Sequence, residues 1–354
     1  MARRIWLDIT GLRPGSDAGM YAIRLNAALG AAGQTVVICQ RVPGLQILSI
    51  DEFREQLIVL PTELSGAAPL REMLDWSPAL QPDDGLQMPQ AEDVFIMLAL
   101  SGDAARVAAC GARMVLLATN VTVLARPDWR ELRDVEAAQL WLERTAPVTK
   151  IRIAHAQAAA DALQAAGVDG TMVIGSAADA STPLEGPAHP RPFIFASGEI
   201  GEAGQTRNLL LVWRRLLETM PIGMVPDLVI AGPIGAQAGD TLEQLANSHL
   251  LNGRARVILF PSPAQIAALA RDCVFAVAMA AATGWGRGTH NAQLFGAPCL
   301  SAFASYGAVP FDPTNAAGIA ARIRAWLVDP PVKPPMMMRG WDEVVRDLLR
   351  VIML

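Results

Sequence analysis

Short runs of consecutive apolar residues alternate along this chain with longer stretches in which apolar residues return every three or four positions. The first pattern predicts buried strands and the second amphipathic helices. RIWLDI (4–9) reads as a strand, followed by a Gly- and Pro-containing loop and a helix from about Ala18 to Ala32. TVVICQ (35–40) is the next strand, closed by Pro43-Gly44, and an irregular, Pro-rich region covers 61–90. DVFIMLAL (93–100) and RMVLLAT (113–119) read as buried strands with a short Ala-rich helix between them. A helix from about Glu131 to Arg144 precedes KIRIA (150–154), an Ala-rich helix ended by Gly167, and TMVIG (171–175). Strands that alternate with helices and are apolar throughout imply a parallel sheet covered on both faces.

SAADASTPLEGPAHPRP (176–192) breaks the pattern, with prolines at 183, 187, 190 and 192 and little apolar surface, so it reads as a linker. The alternation then restarts with FIFAS (193–197), a helix over 207–219, DLVIAG (227–232), a helix near 240–247, RVILF (256–260) and a helix over 263–271. VFAVAM (274–279), a glycine loop with a helix from about Gly288, and PCLSA (298–302) follow. AAGIAARIRAWLVDP puts Ile319, Ile323, Trp326 and Leu327 on one helical face, and WDEVVRDLLRVIML is the last helix. The predicted fold class is α/β: two doubly wound, Rossmann-like domains with a cleft between them. The boundaries are 1–180 for the first domain, 181–192 for the linker, 193–335 for the second domain and 336–354 for a terminal segment.

Composition narrows the functional classes. A chain of 354 residues with 52% hydrophobic and 18% charged residues is a folded, two-domain protein. A net charge of −5 and a pI near 5.5 argue against nucleic-acid binding, which rests on cationic contacts to phosphate. Lys150 and Lys333 are the only lysines, so a cation that grips phosphate must be an arginine. Cys39, Cys110, Cys273 and Cys299 are widely separated, with no metal-ligand spacing, and read as reduced thiols. MARRIWLDIT reads as a first strand and not as a signal peptide. The longest uninterrupted apolar run, Cys273–Ala282, is far short of the roughly 20 residues a membrane span needs. The expectation is a cytoplasmic protein, with peripheral contact at the inner membrane face left open and the oligomeric state unassigned.

In doubly wound sheets ligands bind outside the carboxyl ends of the strands. That singles out the loops 10–19, 119–128, 197–208, 232–239 and 282–290. FASGEIGEAGQTRNLLLVWRRLLE (195–218) runs from strand through glycine loop to helix. Backbone N–H groups and Arg207 there suit a diphosphate, and a solvated loop with a surface arginine is the plainer alternative. ATGWGRGTHNAQLFGAPCL (282–300) repeats the geometry with Gly284 and Gly286 before the helix. A lone G-x-G is equally at home in an ordinary connection, and His290 in a surface turn. Between Asp272 and Asp312 this segment carries no Asp or Glu.

Taken together, PDLVIAGPIG, RVILFPSPAQIAALARDCVFAVAM, GWGRGTHNAQLFGAPCLSA and PFDPTNAAGIAARIRAWLVDP stand in the order and spacing of group 1 (family 4) GT-B glycosyltransferases. IWLDITGL, DAGMYAIRL and VLLATNVTVLARPDW resemble segments of that family's first domain. The resemblance covers most of the chain and is stronger in the second half. It implies a GT-B fold whose last helix crosses back to the first domain. It also implies retaining, metal-independent transfer from a nucleotide sugar to a glycan or lipid-linked acceptor, without a cofactor, as in bacterial polysaccharide biosynthesis. No Asp-x-Asp motif is present.

By this resemblance Arg207 and Asn208 match the family's basic diphosphate-binding motif. Gly198, Gly232, Gly284, Trp285, Gly286, Arg287, Thr289 and His290 fall in donor loops. The family's two glutamates fall on Thr283 and Asn291, and its His-Asp pair on Thr119 and Asn120. Gly15, Ser16 and Gly19 form the acceptor-side loop, and the family's Pro-Glu-x-x-Gly loop is shortened to FASYGAV. With Arg207, Asn120 and Thr119 as the catalytic candidates, two readings stand: an active glycosyltransferase with an unusual donor site, and a GT-B protein that binds or partners without catalysis. An NAD-binding reading lacks a G-x-G-x-x-G after a strand with an acid about 20 residues on.

Overall fold

The computed structural model describes residues 3–12, 16–41, 58–59, 88–178, 181–235, 238–279, 285–302, 308–329, 331 and 339–353. The chain forms two compact units, residues 1–176 together with 339–354, and residues 177–338.

In the first unit, β1 (Arg4–Asp8), β2 (Thr35–Gln40), β3 (Ile58–Val59), β4 (Val94–Met97), β5 (Arg113–Ala118), β6 (Ile151–Ala154) and β7 (Met172–Val173) form one sheet in the order β3-β2-β1-β4-β5-β6-β7. Every pairing is parallel except β2 with β3, an antiparallel edge that the hydrophobic pattern does not announce. Every residue of β4 is buried, because helices cover both faces of the central strands. Helix α1 (Asp17–Ala31) follows β1, α2 (Ala105–Ala109) follows β4, α3 (Leu132–Leu140) follows β5 and α4 (Gln157–Ala165) follows β6.

The helix expected to Arg144 keeps α geometry only to Leu140. It widens over Trp141–Thr145 and tightens at Ala146–Val148, where Pro147 has no amide hydrogen to continue a ladder. Most of the Pro-rich region 61–90 lies outside the described residues.

In the second unit, β8 (Phe193–Ser197), β9 (Asp227–Gly232), β10 (Ala255–Leu259), β11 (Ala276–Ala278), β12 (Cys299–Ser301) and β13 (Val309–Pro310) form a parallel sheet in the order β10-β9-β8-β11-β12-β13. Its helices are α5 (Thr206–Thr219), α6 (Ala238–Asn247), α7 (Pro263–Asp272), α8 (Arg287–Leu294) and α9 (Ala316–Val328). Ile194, Trp213, Leu228, Phe275, Ile319 and Trp326 pack one face of the sheet, and Phe193, Phe195, Val229, Ile266 and Leu269 pack the other.

Residues 181–192, which the sequence marks as a linker, are tied to this second unit. Leu184 N–H donates to Ala264 O at 3.3 Å, Ala188 N–H to Asp272 Oδ2 at 2.8 Å, and Arg191 Nε to Asp227 Oδ2 at 2.8 Å. The prolines rigidify a strap along this unit, and the backbone amides of Leu184 and Ala188 find a carbonyl and a carboxylate where a sheet neighbour is missing.

Helix α10 (Trp341–Ile352) joins the first unit. It buries Val344, Val345, Leu348 and Ile352, sets Trp341 against Tyr21 with ring centroids 5.0 Å apart, and receives Arg113 Nη1 on Ile352 O at 2.8 Å. Among the described residues no helix is long and apolar enough to cross a membrane.

Candidate functional site

Both sheets reverse their strand order next to their first strand, between β1 and β4 and between β8 and β11. In doubly wound proteins the crevice at the carboxyl end of such a reversal receives the ligand.

In the second unit the chain leaves β8 at Ser197 and enters the loop 198–205. Ile200 continues the ladder for one bridge with Ile234, donating to Pro233 O at 2.8 Å and accepting from Gly235 N–H at 2.9 Å. Gly232, at the end of β9, makes this closeness possible: a Cβ there would lie 1.7 Å from Gly198 O. Gly198 itself has φ +142. The loop then enters α5 through Gln205, a buried residue in the left-handed region at φ +48. No side chain caps the first turn of α5. Arg207 is exposed on that turn. Asn208 donates to Gln205 Oε1 at 2.6 Å and lies 3.5 Å from Pro313 O, bracing the loop.

Helix α8 starts in the same manner. Gly286, at φ +61, precedes its first turn, and again no side chain caps it. A Cβ on Gly288 would lie 1.4 Å from Ser197 Oγ, so only glycine lets this helix abut the end of β8. Trp285 is fully buried and donates from Nε1 to Ala177 O at 2.6 Å, which anchors the turn. The starts of α5 and α8 therefore converge on the carboxyl end of β8. Other helices of the same unit are capped: Ser262 and Gln265 form a capping box on α7, and Asn315 caps α9. An uncapped start leaves backbone donors directed outward, where anions bind.

Helix α8 is also polar and buried at once. Arg287, Thr289, His290, Asn291 and Gln293 are all at most 5% exposed. Arg287, His290 and Asn291 stand at i, i+3 and i+4, on one face. Asn291 is completely buried, and among the described residues neither Oδ1 nor Nδ2 has a hydrogen-bond partner. An unsatisfied buried amide costs stability, which marks it as built for something other than packing. The acids nearest in sequence to this edge are Glu199 and Glu202 in the β8–α5 loop; α8 contributes none.

Thr283, Gly284 and Gly15, singled out by sequence, lie outside the described residues. In the first unit, Thr119 is buried after β5 and its hydroxyl donates to Leu98 O at 2.7 Å. Asn120 Oδ1 accepts from Thr122 N–H at 2.9 Å, starting the single helical turn Thr122–Ala125. Ser16 caps α1 by accepting from Gly19 N–H at 3.1 Å, and Gly19 is buried inside that helix. All three side chains thus hold local backbone in place.

Two features were not visible in sequence. Phe260, read there as the end of a strand, turns into the left-handed region at φ +49, its amide donating to Gly232 O at 3.0 Å, and is 58% exposed beside the exposed Leu259. In the first unit, Arg41 is buried at the strand reversal. It donates from Nη2 to Asp8 Oδ2 at 2.7 Å, from Nη1 to Asp103 O at 2.8 Å, and from its backbone to Thr10 Oγ1 at 2.7 Å. Beside it, burial pushes the Cys39 thiol well above its ordinary pKa, with the Asp8 carboxylate adding to the rise. Among the described residues no group of three or more His, Cys, Asp or Glu side chains is placed to hold a metal ion.

No protein-family model matches the sequence, and no curated protein does. The fold does have counterparts. Sucrose-phosphate synthase from Thermosynechococcus elongatus superposes with a TM-score of 0.61 at 13% identity, covering 99% of this chain and 95% of that one. HepE of Anabaena, solved with UDP-glucose, gives 0.61 at 13% identity, with 99% and 96% covered. An α,α-trehalose-phosphate synthase (UDP-forming) from Burkholderia vietnamiensis gives 0.59 at 13% identity, with 99% and 95% covered. These neighbours are GT-B glycosyltransferases, and the two-sheet α/β architecture of this chain is the GT-B fold.

Proposed function

We propose that this protein is a glycosyltransferase that takes a sugar from a nucleotide-sugar donor. The observation that carries the reading is the convergence of two uncapped helix starts, α5 and α8, on the carboxyl end of β8 at the strand reversal. Two positive dipole ends aimed at one point suit a diphosphate. The fold shared with a neighbour solved with UDP-glucose supports the same assignment.

In this reading the donor diphosphate lies over Gly198 and the Gly286 turn. Backbone N–H groups of α5 and α8 and the Arg207 guanidinium stabilise the charge that develops on it as the glycosidic bond breaks. Leaving-group stabilisation of this kind requires neither a metal nor a protein nucleophile, and the transfer is assigned as retaining. Arg287, Thr289, His290 and Asn291 are assigned to the sugar side, to which the sequence resemblance also assigns Thr283 and Gly284. The exposed ring of Phe260 offers a flat apolar face for a nucleobase. Thr119, Asn120 and the Ser16 turn are assigned to the acceptor side, for a glycan or lipid-linked acceptor.

The test is incubation with a panel of nucleotide sugars, reading released nucleoside diphosphate, beside a thermal-shift screen with UDP and GDP. Release from at least one donor is expected, with stabilisation by the matching diphosphate. A protein that no nucleotide stabilises refutes the donor site. A second reading, binding without turnover, is favoured by Thr119 and Asn120, whose polar atoms serve local backbone. Stabilisation without release from any donor and acceptor combination selects it.

A further inference from the structure

Phe260 and Gly198 flank the carboxyl end of β9 from its two sides. Phe260 N–H donates to Gly232 O at 3.0 Å, and Gly198 N–H donates to Ala231 O at 3.3 Å. The end of β10 thus stands two strand spacings, about 10 Å, from the end of β8. One nucleoside diphosphate covers such a span between its phosphates and its base. At the far end of that span Phe260 is 58% and Leu259 44% exposed. A bulky residue held at φ +49 is strained, and strain of this kind gathers at binding sites.

The hydrogen bonds of the turn after β10 discriminate between bases. Its backbone donors are all absent or spent. Phe260 N–H goes to Gly232 O, Pro261 and Pro263 have no amide hydrogen, and Ser262 N–H donates to Gln265 Oε1 at 2.8 Å. The capping box holds Ser262 and Gln265 against the first turn of α7. Ser262 O accepts from Ile266 N–H at 3.0 Å, whereas Phe260 O and Pro261 O accept no backbone hydrogen bond among the described residues. This backbone can therefore accept from a base and cannot donate to it. Uracil and thymine present two carbonyl oxygens around a single N–H, so carbonyl would face carbonyl. Guanine and adenine present an exocyclic amine, and their fused rings cover more of Phe260 and Leu259.

We propose that the donor is a purine nucleotide sugar, its base stacked on Phe260 and its exocyclic amine donating to the carbonyls of this turn. The inference rests on the donor-site reading and adds to it the class of nucleotide.

The test is calorimetric titration of the full chain with GDP, ADP, CDP and UDP. GDP and ADP are expected to bind about tenfold or more tighter than UDP. CDP, which keeps the amine and lacks the second ring, should fall between them. Phe260→Ala should weaken GDP binding by about tenfold and narrow the gap between GDP and UDP. Phe260→Tyr, which keeps the ring face, should bind all four as the wild type does. Both variants should melt with the wild type, because the side chain is exposed. UDP binding as tight as that of GDP, or a loss in Phe260→Ala that is equal for all four nucleotides, overturns the purine assignment and leaves the donor site standing. Failure of all four to bind overturns both.

Discussion

The two strand reversals of this molecule sit in the same topological place and are finished in opposite ways. Between β1 and β4 the crevice is filled from within: the Arg41 guanidinium meets Asp8, Asp103 O and Ser101 O, and Thr10 closes the circuit. Between β8 and β11 two helices start uncapped from left-handed residues, and Asn291 is buried with no hydrogen-bond partner among the described residues. Polar groups that satisfy one another build structure, and polar groups left unsatisfied await a ligand. The comparison supports the proposed placement of the binding chemistry in the second unit without reference to any relative.

The sharpest way to break the comparison is to open the closed reversal. Asp8→Ala leaves Arg41 buried without its counter-ion and is expected to cost about 3–5 kcal/mol, read from urea denaturation. Nucleotide affinity of the folded fraction should not change. Acid tests the first unit by another route. His155, buried against Tyr21 with ring centroids 4.4 Å apart, has its pKa lowered by burial from 6.5 to about 4. The neutral ring is the folded form, so this contribution is complete above pH 6.5 and disappears as pH falls towards 4. Its size is about 3 kcal/mol. Urea midpoints measured over that window should fall in the wild type and stay flatter in His155→Phe.

At the open reversal, Arg207→Ala should weaken nucleotide binding by about 1.5–3 kcal/mol while leaving the melting temperature unchanged, because the side chain is exposed. Calorimetric titration with UDP and GDP decides it. Gly288→Ala forces a methyl group onto Ser197 and is expected to cost about 1–3 kcal/mol. Ser197→Gly in the same chain should recover much of that loss if this contact is what requires glycine. The smallest expected effect is also the most discriminating: Asn291→Leu removes an unsatisfied amide and should stabilise the unliganded protein by about 1 kcal/mol. The same change should weaken nucleotide-sugar binding. Stabilisation without loss of binding would make Asn291 a packing defect and nothing more.

Most of the framework was legible because strand and helix periods are local properties. β2, β8 and β9 fall on the residues their apolar runs mark. What could not be read depends on partners distant in sequence. Gly288 looks like any loop glycine until Ser197 is beside it, and Gly232 until Gly198 is. Nothing in the sequence beside Arg41 marks it out, and its burial depends on Asp8, 33 positions away. Asp8 itself appears only as an interruption in an apolar run. β3 is antiparallel and two residues long, too short for any period to register. At the donor edge the positions were marked by resemblance, while the absence of caps and the isolation of the Asn291 amide are properties of the fold.

Helix α10 closes the first unit with residues that follow the whole of the second. On the ribosome, the groove around Tyr21 must therefore wait uncovered while more than 160 further residues of the second unit are made. Maturation of the first unit consequently waits for synthesis of the second even though its sheet is encoded first. A fragment cut after the second unit would emerge with that aromatic groove bare, a ready target for chaperones and proteases.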